Sequence, residues 1–113
     1  MAETNTLTTV GDTTPWTDLG AGPGLKVFSA FVPKSAAASA FSVSFEVRRW
    51  LSSTVEDSAA NASPILQADG ATKQTMTAKG YMRGQVYGRV QVRAVLDSVT
   101  GGTVPMLILG ENG

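Results

Sequence analysis

The sequence predicts an all-β domain, an antiparallel β-sandwich or barrel with a jelly-roll-like path, and three observations carry the prediction. Apolar and polar residues alternate over most of the chain, which sets one side of an extended strand on a core and the other in water. Glycine-containing turn signals fall between the alternating runs, at Gly11-Asp12, Gly20 to Gly24, Asp69-Gly70, Lys79-Gly80 and Gly101-Gly102. The helix candidate is one short Ala-rich piece at residues 35–40, disfavoured by its length and by serines that compete for the backbone. With 113 residues there is material for a single core.

Residues 1–15 read as an extended N-terminal arm and residues 16–113 as the single sandwich domain. The arm is rich in Thr and carries only Leu7 and Val10 as large apolar groups, too little to fold on itself. Thr favours extended backbone, and an extended arm gains main-chain hydrogen bonds by adding to the sheet edge of a neighbour. Thr4, Thr6, Leu7, Thr8 and Val10 are therefore candidate contact residues, expected to be mobile in the isolated protein and ordered against another subunit. The segment has neither the basic nor the apolar region of a secretory leader.

Next come the strands. Residues 25–32 read Leu-Lys-Val-Phe-Ser-Ala-Phe-Val, and Phe41, Val43, Phe45 and Val47 alternate with Ser42, Ser44, Glu46 and Arg48. The longest alternation, residues 81–96, sets Met82, Val86, Val90, Val92, Ala94 and Leu96 against Tyr81, Arg83, Gln85, Tyr87, Arg89, Gln91 and Arg93. Unbroken it would extend about 50 Å, too long for a domain of this size, so it is expected to bend. Gly84 and Gly88 fall on its inward side, where a missing side chain permits a bulge or close packing of a large neighbour. Residues 104–109 are apolar on both faces, as in a central strand or one covered by another subunit.

Composition narrows the chemistry. Nine Lys and Arg balance nine Asp and Glu, so no long-range field gathers phosphate backbones or anionic lipid, and neither a nucleic acid nor a membrane is an expected partner. Cys and His are both absent, which removes thiolate and imidazole chemistry and with it most hydrolase and metalloenzyme templates. No apolar run approaches the roughly 20 residues that span a bilayer as a helix. The expectation is a soluble, non-enzymatic protein with no cofactor, no metal and no catalytic residue.

Several single features have plainer readings than the functional ones they suggest. Gly20 to Gly24 leads into a strand rather than a helix, so it reads as a turn and not a phosphate loop. Lys79-Gly80-Tyr81 opens like the RNA-recognition strand motif, but Met82 and Arg83 break the match. Adjacent Glu56 and Asp57 diverge and make a poor catalytic pair, and the sequon Asn61-Ala62-Ser63 is expected to have no role. Tyr81, Arg83, Tyr87, Arg89 and Arg93 on one side of a strand read plainly as a solvated face whose arginines pair with acids such as Glu46 and Asp97; base stacking is conceivable, and a protein-contact face gains weight because Tyr and Arg are enriched at contact hot spots. Trp16 and Trp50 read as aromatics plugging the ends of the sandwich, with interface anchoring or sugar stacking as the alternatives.

The Thr-rich arm leading to Pro15-Trp16-Thr17-Asp18-Leu19-Gly20, then Leu25-Lys26-Val27, then the strand Phe41-Ser42-Val43-Ser44-Phe45-Glu46-Val47, resembles the single-domain β-sandwich proteins of tailed bacteriophage virions, capsid decoration or cement proteins among them. The resemblance implies a structural virion protein that binds the outer surface of an assembled capsid and stabilises or decorates it. It implies the capsid protein and copies of itself as partners, commonly as a homotrimer, with the chain made soluble in the host cytoplasm. A carbohydrate- or receptor-binding β-sandwich, such as a fibre or lectin-like module, is the alternative.

Overall fold

Alternation builds two sheets whose apolar sides meet. The structure, a computed structural model, describes residues 3–52 and 54–111. Phe28, Ala30 and Val32 line the inner side of β3 (Leu25–Val32); Phe41, Val43 and Phe45 line that of β4 (Ala40–Arg49). The remaining strands in chain order are β1 (Thr6–Leu7), β2 (Thr17–Asp18), β5 (Ser63–Pro64), β6 (Thr75–Met76), β7 (Gly80–Tyr87), β8 (Val90–Thr100), β9 (Val104–Pro105) and β10 (Leu107–Gly110). A three-stranded sheet in the order β10-β3-β7 packs on a sheet in the order β2-β8-β4-β5, with β6 also paired to β4; β1 and β9 form a small third pair. All strand pairings are antiparallel. Phe28 of one sheet meets Phe45 of the other with ring centroids 5.4 Å apart, at the centre of one hydrophobic core.

The long alternation does bend, and the bend decides where its side chains go. β7 ends at Tyr87, Gly88 takes a φ of 86°, and β8 begins at Val90. β7 pairs with β3 whereas β8 pairs with β4, so the chain passes from one sheet to the other at this turn. The inward position at Gly84 is filled by a large neighbour, Phe28.

The all-β antiparallel sandwich is thus the architecture found. Three strands against a larger sheet do not establish a jelly-roll order, which sets two sheets of four strands face to face. Residues 35–40 are not helical. Their amides bond outside the segment, Ala38 N–H to Thr103 C=O at 3.2 Å and Ser39 N–H to Thr100 C=O at 2.8 Å, and Ala36 and Ala38 are buried. The helix found is a single 3₁₀ turn, Ala59–Asn61, capped by Ser58. Residues 104–109 divide at Met106, and β10 is an edge strand rather than a central one.

The N-terminal segment departs most from expectation. Met1 and Ala2 lie outside the described residues, but residues 3–15 are laid against the chain's own body. Leu7 is completely buried, and β1 pairs with β9. The Gly11 N–H donates to Leu96 C=O at 2.8 Å, the Leu96 N–H to Asp12 C=O at 2.9 Å, and the Thr14 N–H to Ala94 C=O at 3.0 Å. Counting large apolar groups misjudged the segment because polar ones anchor it. The buried Asp12 carboxylate accepts the Thr8 N–H, the Thr8 hydroxyl and the Thr9 N–H at 3.0–3.1 Å. The segment adds as a strand, as Thr-rich sequence favours, and here it adds to its own sheets.

Residues 65–75 form a hairpin that stands beside β7, and Asp69 organises its tip. The Asp69 carboxylate accepts the Thr72 hydroxyl at 2.6 Å and the Ala71 and Thr72 N–H groups at 2.9 Å. These bonds, the Thr72 hydroxyl foremost, hold its pKa at about 2 against an ordinary 3.8. A carboxyl whose folded pKa is depressed favours the native tip at pH above 3.8 and loses that contribution as pH falls toward 2. The Thr72 amide proton is expected to titrate with a midpoint near 2 in an NMR pH series. A midpoint at the ordinary value would show that the tip is not formed.

Candidate interaction surfaces

The expected Tyr and Arg face does not exist as one surface, because the turn at Gly88 divides it. Tyr81, Arg83 and Tyr87 project from the outer side of the three-stranded sheet; Arg93 projects from the outer side of the larger sheet, and Arg89 sits at the end of the sandwich beside Trp50. Period-two spacing fixes the side of a strand, and it cannot report that the strand changes sheets.

On the larger sheet Trp16, Arg48, Arg93 and Glu46 engage one another. Thr17 lies opposite Val92, so Trp16 arrives beside Arg93. The guanidinium carbons of Arg48 and Arg93 stand 4.4 and 4.5 Å from the centre of the Trp16 ring. Arg93 also bonds the Glu46 carboxylate through Nη2 at 2.8 Å and Nε at 2.9 Å, and Arg48 donates to Gln91 Oε1 at 2.7 Å. Trp50 is half-buried with Arg89 stacked 4.3 Å from its ring centre, as an aromatic closing the end of the sandwich. Both tryptophans are engaged within the chain. Glu56 lies 3.9 Å from Arg48, and Asp57 is bonded by Asn61 and by the Ser58 N–H, which hold its carboxyl below the ordinary value. Neither carboxylate is placed as a proton-transfer partner of the other.

The outer side of the three-stranded sheet is different. Cross-strand register sets Leu107, Phe31 and Tyr81 in one row and Leu109, Ser29 and Arg83 in the next; two rows further on, Leu25 lies opposite Tyr87. Leu107, Leu109 and Phe31 are 51%, 54% and 42% exposed. Ten large apolar or aromatic side chains are exposed among the described residues, and six of them share this one sheet face. The Glu111 carboxylate spans the face, accepting the Tyr81 hydroxyl and pairing with Arg83 Nε, both at 3.1 Å. Charge is therefore balanced inside the apolar surface. Scattered exposed leucines are ordinary, but a row across three strands is a candidate contact surface.

Sequence reading found Tyr81, Arg83 and Tyr87 of this face and missed Leu25, Phe31, Leu107, Leu109 and Glu111. The available signal was the doubly apolar run at residues 104–109, which fits a central strand or one covered by another subunit. Of the expected arm residues, Leu7 is a core residue, Thr4 is half-buried, and Thr6, Thr8 and Val10 are exposed on the folded segment. Gly20 to Gly24 is a turn with positive φ at Gly20, Gly22 and Gly24, closed by Lys26 Nζ donating to Ala21 C=O at 2.9 Å.

Two clefts adjoin this face, and Tyr87 lines both. One, of about 500 Å³, is lined by Arg48, Arg49, Asp57, Asn61, Gln85 and Tyr87 among others; the second, of about 780 Å³, lies between β7 and residues 66–75. Among the described residues no group of three or more acidic side chains is placed to hold a metal, and no helix is long and apolar enough to cross a membrane. Comparison with known proteins finds no matching family model, no matching curated protein and no matching solved structure.

Proposed function

We propose that the protein is a structural subunit that acts by contact, docking the outer side of its three-stranded sheet on the protein surface of an assembled phage capsid. The supporting observation is the apolar row of Leu107, Phe31 and Tyr81 with Leu109, Leu25 and Tyr87 beside it, exposed among the described residues. Desolvating leucine and aromatic side chains is the main source of affinity at such contacts, and the internal Arg83 and Glu111 pair leaves no net charge to strand. Homotrimer formation belongs to the same proposal and is read by sedimentation at three times the 11.7 kDa chain mass.

The measurement is cosedimentation with assembled capsids. Phe31→Thr combined with Leu107→Thr keeps β-propensity and leaves the core intact, so the melting temperature should hold while capsid binding falls at least tenfold, by about 1.4 kcal/mol or more. Undiminished binding would remove the face from consideration. A second reading, carbohydrate binding, is favoured by the 500 Å³ cleft, where Tyr87 stands among Arg49, Asp57, Asn61 and Gln85. Glycan-array binding lost on Asn61→Ala and kept by the Phe31 and Leu107 double variant would select it.

A further inference from the structure

The three-stranded sheet has two edges, β10 and β7. The Gly88 N–H donates to Gly24 C=O at 2.7 Å, so the hydrogen-bonded pairs of β3 and β7 recur at Lys26 with Val86, Phe28 with Gly84 and Ala30 with Met82. Even-numbered residues of β7 therefore turn their main-chain groups toward β3, and Tyr81, Arg83, Gln85 and Tyr87 turn theirs outward. At the opposite edge the Met106 N–H, just before β10, bonds Asn5 C=O at 2.8 Å, and Gly110 at the end of β10 lies against Leu19. At the β7 edge, among the described residues, the outward main chain meets one polar partner. That partner is the Gln74 side chain, whose Nε2 donates to Arg83 C=O at 3.4 Å.

The width of the gap follows from that bond. A Gln side chain reaches about 5 Å from its Cα, and adding the 3.4 Å contact and the projection of the carbonyl puts the Gln74 backbone up to about 10 Å from the axis of β7. Paired strands are ~4.8 Å apart, and a Gln74 side chain at full reach leaves room for one strand between β7 and the hairpin. The 780 Å³ cleft lies along β7 here, lined by Leu66, Gln67, Gln74, Arg83 and Gln85 and reaching Val27 of β3, and it shares Leu66, Gln85 and Tyr87 with the smaller cleft. The Gln74 carboxamide is chemically a peptide group, and it donates where the amide of an added strand would donate.

We infer that the β7 edge is a strand-addition site that takes an extended peptide segment of another polypeptide between β7 and the 65–75 hairpin, hydrogen-bonded to the main chain of Arg83, Gln85 and Tyr87. Displacing Gln74 exchanges one weak side-chain bond for a ladder. Gln67, Gln74 and Gln85 give the walls neutral amide character, with Leu66 and Tyr87 as apolar contacts, which suits a guest of alternating hydroxyl and β-branched residues. This site rests on main-chain geometry and stands or falls separately from the sheet face.

The probe is a peptide of about seven residues, alternating threonine and valine with a glutamate at each end, long enough to span the outward positions at ~3.3 Å per residue. It is titrated into the full chain and followed by NMR. Binding should shift the amides of Tyr81, Arg83, Gln85 and Tyr87. Two further peptides carry N-methyl groups on one or the other alternating set of residues, which removes the donors along one side of the strand. At least one pattern should weaken binding by about tenfold or more. Gln85→Pro, which removes an outward N–H and leaves the bonds to β3 in place, should weaken the parent peptide similarly at unchanged melting temperature. If Gln85→Pro fails to fold, the N-methyl pair decides on the native protein. Failure of the parent peptide to bind at millimolar concentration, or equal binding by both N-methyl patterns and the parent, overturns the site.

Discussion

Truncating Leu7 to Ala is expected to lower the unfolding free energy by about 3 kcal/mol, within the range seen for buried Leu→Ala changes. Removing residues 3–14 altogether is expected to leave a chain without a cooperative melt. Leu7 is completely buried in the single core, where it contributes a large side chain near Val104 and the sheet ends. The segment also supplies backbone partners to Ala94, Leu96 and Met106, and Ala94 N–H bonds the Thr14 hydroxyl at 2.9 Å. Deleting it strips those groups of partners at ~1 kcal/mol or more each, in addition to the cavity left by Leu7. A domain of this size has roughly 5–15 kcal/mol of stability in total, so the sum exhausts most of it. Asp12→Ala isolates the polar contribution. It leaves the Thr8 and Thr9 amides without their acceptor and should itself remove about 2 kcal/mol. Circular dichroism melts read all three; a deletion variant melting like the full chain would show the segment to be a dispensable arm.

The N-terminal segment also shows where sequence reading stops. Period-two alternation identified β3, β4 and β8 and their buried sides, with Phe41, Val43, Phe45, Val90 and Val92 in the core and Val47 packed against it. That pattern is local, because burial of one strand face imposes it residue by residue. Partner choice is not local. Nothing in the alternation of residues 81–96 distinguishes a bent strand within one sheet from two strands in opposite sheets, and so Arg93 was grouped with Tyr81. Asp12 looked like half of a turn signal, whereas its carboxylate is the acceptor that folds residues 8–12. The contact face was legible only in part for the same reason. Leu107 and Leu109 show as apolar in the sequence, but their exposure depends on β10 being an edge and on Phe31 and Tyr81 lying in register beside it.

Gly84→Ala is expected to cost about 3 kcal/mol, a large effect for one methyl group. A Cβ at this position would stand 2.3 Å from Cζ of Phe28 and 2.5 Å from its Cε1, against 3.5–4.0 Å for comfortable carbon contacts. Conformational strain has no part in this, since Gly84 is not among the glycines with positive φ. The ring cannot retreat, because Phe28 is completely buried and packs on Phe45 across the sandwich. Overpacking of a dense core commonly costs 1–3 kcal/mol, and a displacement of more than 1 Å belongs at about the upper end. At roughly 4 °C per kcal/mol the melting temperature should fall by ~12 °C. A double-mutant cycle identifies the cause. Phe28→Leu alone opens a cavity and destabilises, but in the Gly84→Ala background the smaller side chain makes room for the methyl, so the two changes together should cost at least 1 kcal/mol less than their sum. Gly88→Ala supplies the contrast. Nothing lies within 4 Å of its Cβ position, yet its φ of 86° penalises any L-residue, so it should cost about 1 kcal/mol whatever stands at position 28. Additive behaviour of Gly84→Ala with Phe28→Leu would mean that the ring does not occupy the space above Gly84, and the packing of the two sheets would have to be redrawn.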